Sequence, residues 1–286
     1  MDRSVEGWFH GLMGMVIFSG SLPATRLAVA DFSPLFLTSG RAVIAAILAA
    51  GILAVLRPKL PTRADLVALV PVAIGVVVGF PLLTALALQH ISAARSVVFI
   101  GLLPLATALF GVLRGGERPR PVFWVFSGIG AAAVAGFALV NGGAGALGGD
   151  LAMLAAVLLC GLGYAEGAVL SRRLGGWQVI SWALLLSLPP MALFALATLP
   201  LSWAAISGSA WLGFAYVSVF SMLVGFIFWY RGLALGGIAR VGQLQLLQPF
   251  ISLVLSALLL REVVSWPMVA TTGLVVLCVA GAKRSA

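Results

Sequence analysis

Charge is scarce in this chain. Only 9% of its 286 residues are Asp, Glu, Lys or Arg, 62% are hydrophobic, and the mean hydropathy is +1.16. Water-soluble domains carry about 25% charged residues, so this composition excludes that class and indicates a membrane protein. Histidine and cysteine are also rare, with two of each. Cys160 and Cys278 each lie inside an apolar run, where neither a disulfide nor a four-ligand metal site is easily built, and they read as packing residues. The sequence has no P-loop, no HExxH and no His, Asp or Glu cluster at metal spacing. An integral membrane enzyme therefore finds no support, and no metal or cofactor is expected. Also missing is the repeated filter motif or ring of like charge that a channel needs. The net charge of +9 would suit nucleic acid, but Lys and Arg sit in short gaps between apolar runs rather than on one surface. No nucleic-acid partner is expected.

What is abundant is long apolar runs. A helix needs about 20 mostly apolar residues to cross the hydrocarbon core. Runs of that kind fall near 8–30, 34–56, 66–88, 92–113, 122–140, 150–171, 178–199, 210–231, 239–260 and 266–282. They predict ten spans. The alternation expected of a spanning barrel does not recur. No small-residue cleavage site follows the first run, which is expected to be retained. With the N-terminus inside, 13 of the 17 basic residues fall on the cytoplasmic side, as the positive-inside bias requires. Both termini are therefore expected in the cytoplasm, in the inner membrane.

Two stretches share one frame: PLATALFGVLRGGE from Pro104 to Glu117, and PFISLVLSALLLRE from Pro249 to Glu262. A shift of 145 residues superposes them, and also aligns Arg95 with Arg240 and Gly128 with Gly273. Matches among Ala, Val and Leu are cheap in so narrow an alphabet, so the proline, glutamate, arginine and glycine positions carry the weight. They point to internal duplication. Five spans per half is an odd number, so the second half must enter the membrane from the opposite side, an inverted-repeat architecture associated with alternating access. Glu117 and Glu262 mark equivalent turns, where each is expected to accept from backbone donors at the start of the next helix or to pair with a nearby Arg.

Two five-span halves, each with a short turn between its third and fourth helices (LALQHISAARSVV and LALGGIARVGQL), a mid-helix proline and a terminal glutamate, resemble the EamA-type drug/metabolite transporter superfamily over nearly the whole chain. The resemblance implies a bundle lined by spans one to four and six to nine, with five and ten peripheral. Overall length and the aromatic-rich eighth span are most similar to the aromatic amino-acid exporters. The superfamily often has Gly-Glu where this chain has Arg261 and Glu262.

Candidate site residues come from polar and aromatic groups inside apolar runs. Gln245 and Gln248 are three apart, on one face of a continuous helix. Their amides suit a zwitterion, or else bond neighbouring helices and the carbonyls freed by Pro249. Phe226, Trp229 and Tyr230 share a face suited to a planar solute, and the 145-residue shift pairs Phe226 and Trp229 with Pro81 and Thr84. Tyr164 and Ser21 are further lining candidates, and His90 is a candidate pH-sensitive group at the turn after span three. Glu166 and Arg41 are the ionisable residues placed deepest, Glu166 being expected to pair with Arg172 or Arg173.

The sequence thus predicts an all-α integral membrane protein with ten transmembrane helices as two inverted five-helix repeats, 1–143 and 144–286. Its expected partners are a small-molecule substrate and the lipid bilayer. Oligomeric state is open, a monomer being compatible. Aromatic amino acids are the first expected substrates, a cationic drug or nucleotide sugar the alternatives.

Overall fold

The computed structural model describes residues 3–115, 121–141, 146–236 and 241–284. Glu117 and Arg240 lie outside the described residues, as do the side chains of Gln243, Arg114 and Arg284. Among the described residues every regular element is helical.

The first apolar run is not one helix. It forms α1 (Arg3–Ser19) and α2 (Ser21–Ala28), broken at Gly20. α3 (Pro34–Leu56) starts where Ser33 accepts from the Phe36 N–H with Pro34 in the first turn, and stops at Arg57 with φ 45°. The third run opens at Thr62, whose side chain and that of Asp65 close a reciprocal capping box, satisfying two backbone donors that a helix start leaves unpaired. It continues as α4 (Arg63–Val72), a π-helical segment (Ala73–Gly79) and α5 (Phe80–His90). The fourth run is α6 (Ala93–Ile100) and α7 (Leu103–Gly115), and the fifth is α8 (Pro121–Asn141).

The second half follows the same order. α9 (Ala146–Leu174) and α10 (Gly176–Ala197) precede α11 (Gly208–Tyr216), a π-helical segment (Val217–Val224) and α12 (Gly225–Gly236). A 3₁₀ turn (Gly242–Leu246) leads into α13 (Gln248–Leu260), and α14 (Trp266–Arg284) closes the chain. Ser207 caps α11 from the position 145 residues beyond Thr62, and the two π segments are offset by the same distance to within one residue. Pro71 and Pro81 flank the first π segment, but Tyr216 and Phe226 hold those positions in the second. Proline therefore does not cause the widening.

Seven helical segments among the described residues are long and apolar enough to cross a membrane, with two shorter apolar helices at Leu244–Leu260 and Trp266–Gly281. Large apolar side chains face outward, such as Val55, Leu139, Leu258 and Leu277, each at least 70% exposed. In water this would be an aggregating surface; in lipid it is the solvated one.

The main packing contacts join the halves. α1 lies on α12, α3 on α10, α4–α5 on α9, α6 on α13, and α8 on α14. The tightest crossings use glycine. A Cβ on Gly14 would sit 2.8 Å from the Trp229 nitrogen, and one on Gly75 2.8 Å from the Gly163 Cα. Neither site admits alanine without a backbone shift. α8 and α14 form a pair at one edge, as the family resemblance implies, and contribute nothing to the interior cavity described below.

Polar contacts pin both ends. At one, Asp31 accepts from the Ser207 N–H at 2.8 Å and from its hydroxyl, and Arg26 donates to the Leu88 carbonyl. At the other, Arg173 pairs with Asp65 at 2.8 Å and Arg231 with Glu6 at 2.7 Å. Glu262 was expected to cap the helix that follows it. It reaches instead into the other half, accepting from the Ala93 and Ala94 N–H groups at 3.0 and 2.8 Å at the start of α6. The reason is spatial: α6 packs on α13, so the α6 donors lie closer to the turn than those of α14.

Candidate functional site

Between the halves lies a narrow cavity that leaves about 30 Å³ for the centre of a water molecule. That is enough for water, since one needs roughly 10–15 Å³ by this measure, but too little for a metabolite. Its wall draws on equivalent positions of both halves. Val76 faces it from the first π segment and Ser221 from the second; Pro81 and Phe226, and Leu103 and Gln248, are the other 145-residue pairs. A π turn holds one residue more than an α turn and is frequent at functional sites. Here the first π segment delivers Val76 to the wall and the second delivers Ser221 and Met222.

The wall mixes aromatic and hydrogen-bonding groups. Phe18, Tyr164 and Phe226 form an aromatic corner, with Phe226 edge-on to Phe18 at 4.9 Å and to Tyr164 at 6.0 Å between ring centroids. Edge-to-face packing of this kind fixes ring orientation. In the same wall, Ser21 and Ser221 share a hydroxyl hydrogen bond of 2.8 Å, and Arg41 Nη2 donates to the Ser221 oxygen at 3.1 Å. Arg41 is 5% exposed, its Nε has no partner, and it takes part in no ion pair among the described residues.

Four of the eight residues predicted from sequence line this cavity: Ser21, Tyr164, Phe226 and Gln248. The others lie elsewhere. Trp229 is buried behind it, edge-on to Phe18 at 6.4 Å and over Gly14. Thr84 is buried one turn beyond Pro81, its hydroxyl without a partner. Gln245 is buried in the 3₁₀ turn with its amide nitrogen unpartnered. The shared face expected for Gln245 and Gln248 assumed an unbroken α-helix, and the change from 3₁₀ to α before Pro249 removes that premise. His90 is exposed at the end of α5. Glu166 is half-buried in α9, and Arg173 bonds Asp65.

Sequence reasoning missed Ser221, one of two serines in the apolar segment VSVFSMLV, and placed Arg41 in the membrane without a site. It also missed the most buried ion pair. Arg95 Nε and Nη2 donate to the two Asp150 oxygens at 2.8 and 2.6 Å, and the guanidinium lies 5.0 Å over the Phe137 ring. The bidentate geometry suits the guanidinium fork.

Lipid-facing helices packed around a narrow interior cavity are the architecture of a multi-pass membrane protein. The chain belongs to the EamA-like transporter family, whose model matches twice, over residues 6–139 and 147–282, and membership makes it a transporter of small molecules. It is 63% identical over 286 residues to the "Uncharacterized transporter YdeK" of Bacillus subtilis (strain 168), covering 100% of both chains. A solved crystal structure with 20% sequence identity aligns over 100% of both chains with a TM-score of 0.66, a likeness of fold.

Proposed function

We propose that the chain exports small metabolites, aromatic amino acids foremost, by alternating access between two inverted five-helix repeats, residues 1–143 and 144–286. The observation that carries this reading is the cavity. Its wall combines an aromatic corner of Phe18, Tyr164 and Phe226 with the hydrogen-bonding groups of Ser21, Ser221, Gln248 and Arg41. That is the combination a solute with a planar body and a polar end requires. The doubled family match, the paired capping residues and the paired π segments support the repeat. Each principal pairing of spans also maps onto another, or onto itself, when the halves are exchanged. In this reading the chain forms ten spans of the inner membrane with both termini cytoplasmic, the end bearing Arg57, Lys59, Arg63, Arg172 and Arg173 facing the cytoplasm. The contracted cavity must widen to admit a metabolite, which suits a carrier that opens to one side at a time.

Efflux from proteoliposomes loaded with mixed labelled amino acids, with and without a pH gradient, tests the reading. Saturable loss led by Trp and Phe is expected. Efflux of other metabolites but of no amino acid, from folded and inserted protein, would overturn the substrate assignment.

A further inference from the structure

Arg41 carries a fixed charge in a place that gives it almost nothing to pair with. It is 5% exposed on α3, and among the described residues Nη2 meets only the neutral Ser221 hydroxyl, Nε is unpartnered and no carboxylate lines the cavity. The other buried arginine shows what this fold does when a guanidinium is structural: Arg95 is held by both oxygens of Asp150 and covered by Phe137. A buried charge without a counter-ion is costly, and ionisable groups kept at that cost inside a membrane are functional by default.

We propose that Arg41 receives the carboxylate of the transported solute. The cavity would then select organic acids with an apolar or aromatic body, zwitterions included, over amines of the same shape that lack a carboxylate. This rests on the transporter reading above and narrows its substrate class. The ligand chemistry follows from the wall. A planar guanidinium offers a fork of N–H donors that matches a carboxylate, Ser221 and Ser21 lie alongside, and the aromatic corner faces the solute's body. One cation among the lining residues balances one negative charge, which fits a monoanionic group better than a phosphate dianion.

The test is thermal stability of the purified full-length protein in a neutral detergent without anionic lipid, with phenylacetate, phenylalanine, phenethylamine or inorganic phosphate added. Phenylacetate and phenylalanine are expected to raise the Tm by about 3 °C or more near saturation, and phenethylamine and phosphate to leave it unchanged. In Arg41→Gln the shifts should vanish while the Tm of the unliganded protein is no lower than in the parent, because the substitution removes an unpaired buried charge. Ser221→Ala keeps the charge and should weaken the shift without abolishing it. Stabilisation by phenylacetate but not phenylalanine, lost in Arg41→Gln, would support the carboxylate site and sink the amino-acid reading. A phenylalanine shift that survives Arg41→Gln would overturn the site and leave that reading standing. Equal stabilisation by phenethylamine or phosphate, or none by either carboxylate, would also overturn it.

Discussion

The two halves present the cavity with equivalent positions and unlike chemistry. From the first come Val76, Pro81 and Leu103; from the second, 145 residues on, come Ser221, Phe226 and Gln248. The backbone pattern is repeated, down to a π segment on each side, but at these three pairs the hydrogen-bonding and aromatic side chains all come from the second half. The first half answers with Ser21 and Arg41, which have Glu166 and Leu186 at the shifted positions. In the proposed repeat, duplication would account for the scaffold and divergence for the unlike wall, and an asymmetric wall would give a bound solute one orientation.

That contrast can be broken at several points, the most damaging away from the cavity. The Arg95–Asp150 pair crosses the halves and has no counterpart in sequence, since Val5 occupies the position equivalent to Asp150. Asp150→Ala leaves a buried guanidinium uncompensated and is expected to cost about 3–5 kcal/mol, read as lost thermal stability in detergent. A Tm within one degree of the parent would show that the pair is solvated.

Exchanging chemistry between equivalent positions comes next. Gln248→Leu gives the second half the first half's residue and is expected to lower transport about 10-fold with little change in stability, the effect of removing a bond worth about 1.5 kcal/mol to substrate. Leu103→Gln adds an amide to a face without partners and should not restore transport when combined with it. Equal rates in Gln248→Leu and the parent would remove this residue from the site.

A smaller effect is expected at the cap. Glu262→Ala frees two α6 donors and should cost about 1–2 kcal/mol, whereas Glu262→Gln retains one acceptor oxygen and should lose less. Hydrogen exchange at Ala93 and Ala94 would localise the change, and unaltered exchange in Glu262→Ala would refute the cross-half cap.

The smallest effect is titratable. Hydrogen bonds from the Ser207 side chain and N–H hold the Asp31 carboxyl below its ordinary value of 3.8. Its folded pKa is depressed, so this group adds stability above the ordinary carboxylate range and loses it as pH falls through the folded value. Asp31→Asn should lower the Tm slightly at neutral pH, where the parent has the full contribution, and flatten the acid limb of a Tm–pH profile so that the two proteins converge at low pH; an identical profile in the variant would count against the link.

Much of the fold was legible because hydropathy and a few rigid residues mark it. The apolar runs locate the helices, and the Pro-to-Glu frame marks the positions on which the proposed repeat rests. What stayed hidden depends on contacts between distant segments. Gln245 and Gln248 could be put on one face only by assuming an α-helix through Leu247, and the 3₁₀ turn breaks that assumption. Trp229 has the residue type of a solute-stacking ring but lies edge-on to Phe18 with its backbone against Gly14, neighbours no local pattern reveals. Arg95 and Asp150 lie 55 residues apart in different halves, so neither announces the other. Phe226, Tyr164, Ser21 and Gln248 were recoverable because a polar or aromatic group in an apolar helix has few reasons to be there.

The π segments carry a consequence for motion. A residue inserted into a helix rotates everything beyond it by about 100°, one step of a 3.6-residue turn. Val76 and Ser221 sit in such insertions, and Phe80, Pro81 and Phe226 follow directly. Their presentation is thus a matter of phase: sliding the wide turn one residue along the helix would turn a wall residue away from the cavity while the helix axis stayed straight. A carrier with one such adjustable screw in each half can change what its interior displays without bending a span.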